Sequence, residues 1–136
     1  KDTIGSHTIT YSSPGLTSVA ETFTLTFGVA TKLALTTAPS DGAATGVDFV
    51  TQPVVKIQDS AGNTVTNSTV SVGVAITVNP VSGVVGTLNG TLSVAAVSGI
   101  TTYAGLDITH AAGASVYTLT YTSSGLTSVS DDVSSA

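Results

Sequence analysis

The stretch HTITYSSPGLTSV, residues 7–19, returns 110 residues later as YTLTYTSSGLTSV, residues 117–129, with nine of the thirteen aligned positions identical. Each copy alternates threonine with apolar or aromatic residues and then carries a glycine turn. This pattern predicts two strands joined by a tight turn. Because a repeated module end indicates an array, we expect residues 1–27 to be an N-terminal extension that duplicates the last strands of a module. Residues 28–136 would then form one complete domain.

The composition excludes several classes of function. Only 8% of the 136 residues are charged, the net charge is −5 and cysteine is absent. Three lysines, at positions 1, 32 and 56, cannot form the cationic surface that nucleic acid requires. No apolar run reaches about 18 residues, so membrane insertion is not expected. Abundant Thr and Ser, few lysines and a first residue other than methionine favour a processed or excised segment of an extracellular prokaryotic protein.

Period-two alternation runs through most of the chain and predicts strands rather than helices. The predicted strands cover residues 6–12, 21–27, 31–37, 54–58, 70–78, 86–94, 101–108 and 117–121. Turn signals separate them, including DSAGN at residues 59–63, where Gly62 is expected to have a positive φ. Short strands at this spacing predict an all-β fold, an antiparallel β-sandwich. Alternation places four tyrosines mostly on its inner faces: Tyr11, Tyr103, Tyr117 and Tyr121.

Four blocks of the chain resemble the bacterial Ig-like repeats of invasin- and intimin-type surface adhesins. They are ATKLALTTAPS (30–40), QPVVKIQDSAGNTVTNSTVSVGV (52–74), GTLNGTLSVAAVSGITTYAGLDI (86–108) and SVYTLTYTSSGLTSV (115–129). The resemblance covers nearly all of the chain and implies an Ig-like sandwich in an extracellular repeat protein. Such modules are mostly spacers and structural units, so the resemblance indicates a role in architecture. With the duplicated strands added, the expected fold is an Ig-like β-sandwich with an N-terminal strand or hairpin extension.

The two copies of the repeated stretch end differently. After Val19 the chain reads AETFTLTFGVA, which alternates strongly, whereas after Val129 it reads SDDVSSA, with two adjacent aspartates. Aspartate is depleted in strands, so a poor final strand is expected at the C-terminus. The N-terminal copy has a good strand but no sandwich around it, and an isolated hairpin is marginal in water. The candidate donor strand for a neighbouring sheet carries Phe23, Leu25, Phe27 and Val29.

Three arrangements are possible for this apolar strand. It could remain as part of a longer array, fold back onto its own sandwich, or complete the sheet of another subunit by strand addition. The last contact joins different surfaces and would build a filament at the cell surface by self-association. The expected function is therefore a head-to-tail filament subunit. The alternatives are one spacer repeat of an adhesin stalk, or a module that binds a carbohydrate or a host protein.

Enzymatic chemistry is not expected, because no serine lies in a Gly-x-Ser-x-Gly turn and only His7 and His110 could act as histidine bases. Most carboxylates fall at predicted turns or strand ends. Calcium is the one metal considered, since it takes several carboxylate oxygens and module junctions can supply them. Its candidate ligands are Glu21, Asp41, Asp131 and Asp132. No other cofactor is expected.

Two kinds of covalent modification remain open. The Asn-x-Ser/Thr sequons at Asn67 and Asn89 each fall in a predicted turn and would accept N-glycans in a cell that makes them. Some bacterial Ig-like domains carry a Lys–Asn isopeptide bond. Lys32 and Lys56 lie beside predicted core strands but on their outward side, and Lys1 could reach only a neighbouring subunit.

Overall fold

The computed structural model describes residues 4–80, 83–111 and 113–136. Lys1 lies outside these residues. All elements are β-strands: β1 (Gly5–Tyr11), β2 (Val19–Leu25), β3 (Lys32–Thr37), β4 (Val54–Gln58), β5 (Ser71–Val78), β6 (Thr87–Asn89), β7 (Ser93–Ala95), β8 (Ile100–Thr102), β9 (Asp107–Thr109), β10 (Ser115–Thr122) and β11 (Val129–Ser135). The described part of the chain has no helix long and apolar enough to cross a membrane.

The strands after residue 30 form two facing sheets and a small ladder. One sheet has the order β11-β10-β5-β7 and the other the order β3-β4-β8, while β6 pairs with β9. All of these strand pairs are antiparallel. The first two strands, β1 and β2, pair only with each other among the described residues. The molecule is therefore an antiparallel β-sandwich with a separate N-terminal hairpin.

Alternation explains which side chains fill the sandwich. Tyr117, Leu119 and Tyr121 of β10 are fully buried and face Val55 and Ile57 of β4 across the core. Burying each large apolar side chain contributes about 1.5–3 kcal/mol to folding. The core contains Leu33, Phe49, Val55, Ile57, Val65, Val72, Val74, Ala96, Tyr103, Leu106, Ile108, Tyr117, Leu119, Tyr121 and Val133.

The buried hydroxyls of Tyr103 and Tyr121 differ in their hydrogen bonding. The Tyr103 hydroxyl donates a 2.9 Å hydrogen bond to the carbonyl oxygen of Val72, which ties the ring to β5. The Tyr103 ring lies 5.6 Å from that of Tyr121, centroid to centroid. The Tyr121 hydroxyl is also buried but has no hydrogen-bond partner among the described residues. Burial raises the pKa of both tyrosines, since the phenolate would lose its hydration.

Two predicted strands are wrong, because each is divided by a glycine. Residues 86–94 form β6 and β7, with Gly90 between them at φ +100°. Residues 101–108 form parts of β8 and β9, with Gly105 between them at φ +64°. A Cβ on Gly90 would clash with the Gly105 carbonyl, so the two backbones need this close approach. The glycines let β7 and β8 leave for opposite sheets while β6 and β9 remain paired.

The expectation of a poor final strand is also wrong. β11 pairs with β10 over its whole length, from Val129 opposite Tyr121 to Ser135 opposite Ser115. Val133 is fully buried, and Asp132 lies on the exposed outer face. The adjacent aspartates point to opposite sides of the strand, so only Asp131 faces inward, where it is half-buried. Backbone pairing and the inward valines Val129 and Val133 are enough to form the strand despite its poor propensity.

Candidate self-association surface

The N-terminal hairpin repeats the pairing register of the last hairpin of the sandwich. Its ladder runs from Gly5 opposite Leu25 to Tyr11 opposite Val19. Adding 110 to each number gives the ladder between β10 and β11. We call β1–β2 the N-terminal hairpin and β10–β11 the C-terminal hairpin.

The turns of the two hairpins also match. Leu16 N donates to Ser13 O at 3.1 Å, and Leu126 N donates to Ser123 O at 3.2 Å. The third residue of each turn is a glycine, with φ +77° in the first and +76° in the second. A positive φ at this position alone defines a type II turn, which glycine adopts without strain. The duplicated sequence therefore folds into the same local structure twice.

The two hairpins differ completely in burial. Leu119 and Tyr121 have no exposed surface, whereas their counterparts Ile9 and Tyr11 are 45% and 57% exposed. All seven residues of β2 are exposed. The prediction of inward tyrosines is thus confirmed for Tyr103, Tyr117 and Tyr121 and is wrong for Tyr11. The N-terminal hairpin presents to solvent the face that the C-terminal hairpin buries.

The structure separates the four candidate donor residues into two pairs. Phe23 and Leu25 lie on the exposed apolar face of the N-terminal hairpin, each 40% exposed, and the Phe23 ring stacks on His7 at 5.6 Å. Phe27 lies beyond β2 and packs against the sandwich core. Val29 is 84% exposed. The free apolar face therefore ends at Leu25, and the residues that follow belong to the connection with the sandwich.

The opposite face is polar in both hairpins. The hydroxyls of Thr8 and Thr22 lie 3.1 Å apart across the N-terminal hairpin. At the equivalent position of the C-terminal hairpin, Thr118 Oγ1 donates to Asp132 Oδ1 at 2.7 Å. Cross-strand polar pairs of this kind stabilise a solvent-exposed sheet face. The N-terminal hairpin is therefore amphipathic in the same sense as its buried counterpart.

The segment that connects the hairpin to the sandwich is hydrogen-bonded to the DSAGN turn. The predicted turn is confirmed, with Gly62 at φ +88°. Asp59 is buried at its start. Its Oδ2 accepts hydrogen bonds from Gly28 N at 2.8 Å and Asn63 Nδ2 at 3.1 Å, and its Oδ1 accepts one from Asn63 N at 2.8 Å. The bond from Gly28 is the main reason that the pKa of Asp59 falls to about 2, with the Asn63 bonds adding to it against the effect of burial.

The outer edge of β11 is covered near the end of the chain. Gly42 N donates to Ser134 O at 2.9 Å, and Ala136 N donates to Ala43 O at 2.8 Å. Asp41 Oδ1 accepts from both the backbone N and the hydroxyl of Ser134, at 2.7 and 3.0 Å. These bonds hold the pKa of Asp41 below its usual value. We call this parallel contact the Asp41 latch.

The start of β11 is covered as well. Thr127 N donates to Thr31 O and Leu33 N donates to Thr127 O, both at 2.9 Å. Among the described residues, no strand pairs with the outer edge of β11 between this contact and the Asp41 latch. A strand-addition partner would therefore find a short acceptor on β11.

A second set of bonds closes the same end of the sandwich as the Asp41 latch. The Ser135 hydroxyl donates to Ala43 O at 3.1 Å and lies 2.6 Å from His110 Nε2. The buried Ser135 hydroxyl therefore joins Ala43 to His110, and we interpret the pair as a structural contact.

The four calcium candidates are not brought together. Glu21 lies on the N-terminal hairpin, Asp41 is engaged by Ser134, and Asp131 and Asp132 point to opposite sides of β11. Within residues 4–80, 83–111 and 113–136, no three His, Asp or Glu side chains form a group that could hold a metal. Calcium binding between modules stays a prediction.

The two sequons have different environments. Asn67 is exposed in a turn. The Asn89 side-chain nitrogen, the atom that would carry a glycan, donates to Asp107 Oδ1 at 2.8 Å and Thr109 Oγ1 at 2.9 Å. Asn67 is therefore the more accessible site.

The lysines considered for an isopeptide bond are partly exposed. Lys32 and Lys56 are half-buried, and Lys32 Nζ donates to Ser60 O at 3.4 Å. Sequence reasoning missed the contacts of Gly28 with Asp59, of Asp41 with Ser134 and of His110 with Ser135. Each joins residues at least 25 positions apart.

Comparison with known proteins gives structural similarity only. No family model matches the chain, and no curated protein sequence matches it. A glycosyl hydrolase family 2 member from Bacteroides cellulosilyticus matches 98% of this chain and 18% of its own, with TM-score 0.62 and 15% identity. A β-glycosidase from Bacteroides vulgatus gives TM-score 0.61 at 12% identity, over 96% and 17% of the two chains. A Parabacteroides merdae β-glucuronidase gives TM-score 0.51 at 18% identity, over 86% and 14%.

These matches establish the fold class. The chain is an Ig-like β-sandwich, and it spans less than a fifth of the length of the enzymes it resembles. Identities of this size carry no information on activity or substrate.

Proposed function

We propose that this chain is part of an array of Ig-like modules and serves as a structural spacer at the surface of a bacterial cell. The N-terminal hairpin would be the last hairpin of a preceding module, and residues 28–136 the next module. The observation that carries this proposal is the identical register of the two hairpins combined with their opposite burial. A hairpin with a core-forming face needs the rest of a sandwich to cover it.

The C-terminal hairpin shows what the covering partner would look like. One edge of β10 pairs with β5, from Thr118 opposite Val78 to Thr122 opposite Gly73. The equivalent edge of β1 has no strand beside it among the described residues. The missing partner is thus a β5-like strand together with an opposing sheet, which is what a preceding module provides. The resemblance to adhesin repeats and the matches to small parts of longer chains agree with a module in a larger protein.

A second copy of this same sandwich is a poorer partner for the N-terminal hairpin. Its own C-terminal hairpin already occupies the position beside β5. Leu25 would replace Ser135 there, and its apolar side chain would leave His110 Nε2 without its hydrogen-bond partner. A buried polar group without a partner costs about 1–3 kcal/mol. These contacts favour a preceding module with a different acceptor.

The filament remains the second candidate function. It is favoured by the exposed apolar face that contains Ile9, Phe23 and Leu25, and by the edge of β1, beside which the described residues place no strand. Strand exchange between identical chains could cover this face if the C-terminal hairpin of the acceptor were displaced. The contact would be heterologous and would extend into a fibre.

The size of the particles in solution separates the two candidates. Light scattering and negative-stain microscopy would be applied to the full chain and to a chain beginning at Ala30. Monomers from both support the array. Fibres from the full chain that disappear in the shorter one would overturn the array in favour of strand exchange.

A tandem chain tests the array directly. Because Ala136 corresponds to Thr26 in the 110-residue offset, residues 1–136 would be followed without a linker by a second copy of residues 27–136. We expect both copies to fold, and the amide NMR shifts of residues 27–34 in the second copy to match those in the single chain. A second copy that fails to fold would contradict the proposal.

A further inference from the structure

We propose that Asp59 sets the direction in which each module follows the one before it, so that the array is stiff instead of freely jointed. The inference rests on the proposed function, since it needs a module on the N-terminal side of Gly28. Its basis is a buried carboxylate bound to the connecting segment. We call residues 27–33 the junction segment.

The first observation is that the Asp59 carboxylate bonds both to its own turn and to the junction segment. Oδ1 accepts from Asn63 N and thereby closes the DSAGN turn without help from outside. Oδ2 accepts from Gly28 N, which lies 31 positions away in the chain. A hydrogen bond to an ionised acceptor is stronger than one between neutral groups. Oδ2 also accepts from Asn63 Nδ2, so this one carboxylate oxygen joins the turn to the junction segment.

The second step is that the junction segment is bound on several sides. Thr31 N donates to Gln58 O in one sheet, while Thr31 O accepts from Thr127 N beside the other sheet, both at 2.9 Å. Phe27 and Ala30 pack against the core on either side of the Asp59 bond. A segment with backbone bonds to both sheets and two packed side chains has little freedom to pivot.

The third step is the space beside the junction segment. A surface cleft of about 510 Å³ is lined by Phe27, Gly28, Val29, Ala30, Val65, Asn67 and Ser68. Val29 is largely exposed beside it. Because Phe27, Gly28, Val29 and Ala30 line it, the cleft adjoins the junction segment, where a loop of a preceding module could fit. Such a contact would add to the constraint that Asp59 provides.

Two substitutions at one position isolate the hydrogen bond. Gly28→Pro removes the donor, because proline has no backbone N–H. Gly28→Ala keeps the donor, and its Cβ would lie at an ordinary contact distance of 3.5 Å from Asp59 Cβ. The alanine variant is therefore the matched control for the change of side chain.

The readout is the relative orientation of the two modules in the tandem chain, measured by residual dipolar couplings. We expect one shared alignment tensor for both modules in the wild type and in Gly28→Ala of the second copy. We expect loss of the shared tensor in Gly28→Pro. Separate tensors in the wild type, or a shared tensor in all three chains, would overturn the inference.

An acid titration of the unaltered single chain covers the case in which Gly28→Pro does not fold. Asp59 has a pKa of about 2, so the Gly28 amide proton shift should move with a midpoint near that pH while the Leu119 amide still reports a folded core. Gly28 should also be protected from hydrogen exchange at neutral pH. An unprotected Gly28 amide, or one whose shift ignores the titration, contradicts the role of Asp59.

The outcomes keep the two proposals apart. If the Gly28 amide is protected in the single chain but the tandem fails to fold, the array is overturned. The bond from Gly28 to Asp59 would then stabilise the junction segment within one module only. A tandem that folds with independently oriented modules would support the array and overturn the inference that Asp59 fixes the orientation between modules.

Discussion

The N-terminal and C-terminal hairpins have the same turn type, the same register and a shared stretch of sequence around the turn, but only one belongs to the core. Gly15 and Gly125 differ by one degree in φ, and Tyr11 and Tyr121 occupy equivalent places in their ladders. Tyr121 is fully buried and Tyr11 is 57% exposed. Local sequence therefore specifies strand pairing and turn type, whereas burial depends on the strands that lie alongside.

The largest expected difference is between matched alanine substitutions in the two hairpins. Leu119→Ala should lower the free energy of unfolding by about 2–5 kcal/mol, because it leaves a cavity between the sheets. The matched change Ile9→Ala should alter sandwich stability by less than about 0.5 kcal/mol, as exposed positions do. Urea unfolding followed by tyrosine fluorescence measures both. Equal losses would mean that the N-terminal hairpin is part of the cooperative core.

Strain in the two turns gives the next comparison. Gly125→Ala places a Cβ on a residue with φ +76° and should cost about 1–2 kcal/mol. Gly15→Ala imposes the same strain in the N-terminal hairpin and should leave sandwich unfolding unchanged. No atom lies within 4 Å of either added Cβ, so contacts do not confuse the comparison. A loss of sandwich stability in Gly15→Ala would show that the hairpins are coupled.

Hydroxyl removal distinguishes Tyr103, whose buried hydroxyl donates a hydrogen bond, from Tyr121, whose buried hydroxyl has no partner among the described residues. Tyr103→Phe should lower the unfolding free energy by about 1–3 kcal/mol, since the Val72 carbonyl loses its donor. Tyr121→Phe should be neutral or slightly stabilising, because its hydroxyl has no partner among the described residues. Tyr11→Phe is the exposed control and should change nothing in thermal unfolding. The expectation fails if Tyr121→Phe costs as much as Tyr103→Phe.

The smallest expected effect comes from placing the proline of the first turn at the equivalent position of the second turn. Pro14 occupies the second position of the first turn, where Ser124 stands in the second turn. Ser124→Pro should raise the free energy of unfolding by about 0.4–1 kcal/mol, because the turn accepts proline and the unfolded chain loses freedom. The reverse change, Pro14→Ser, should leave the melting temperature of the sandwich unaltered. A lower melting temperature in Ser124→Pro would indicate that the turns are less alike than their φ values suggest.

Much of the fold follows from the pattern of the sequence. Alternation identified the buried faces of β4, β5 and β10, because each of these strands has one side in the core. It failed for residues 86–94 and 101–108, where Gly90 and Gly105 pass close to each other. That crossing depends on residues fifteen positions apart and leaves no periodic signal. Propensity also failed for β11, since Val133 and the ladder to β10 outweigh two aspartates.

The candidate site was predictable in part. The duplicated stretch identified the N-terminal hairpin and its apolar face, because pairing and turn chemistry are local. Alternation alone could not show that Phe27 leaves this face and packs on the sandwich. DSAGN indicated a turn but not a bond to Gly28. Partners 31 positions apart cannot be recognised from either segment alone.

The parallel contacts at the two ends of β11 have a mechanical consequence. In the proposed array the chain would enter the module beside Thr127 and leave it beyond Ala136, which lies nine residues, or about 30 Å of extended chain, from Thr127. Tension between these points pulls β11 one way and the segments around Lys32 and Ala43 the other, so their hydrogen bonds are loaded in shear and must break together. The Asp41 latch and the Thr127 contact would thus set how fast a module yields to a pulling force, which depends on its unfolding rate.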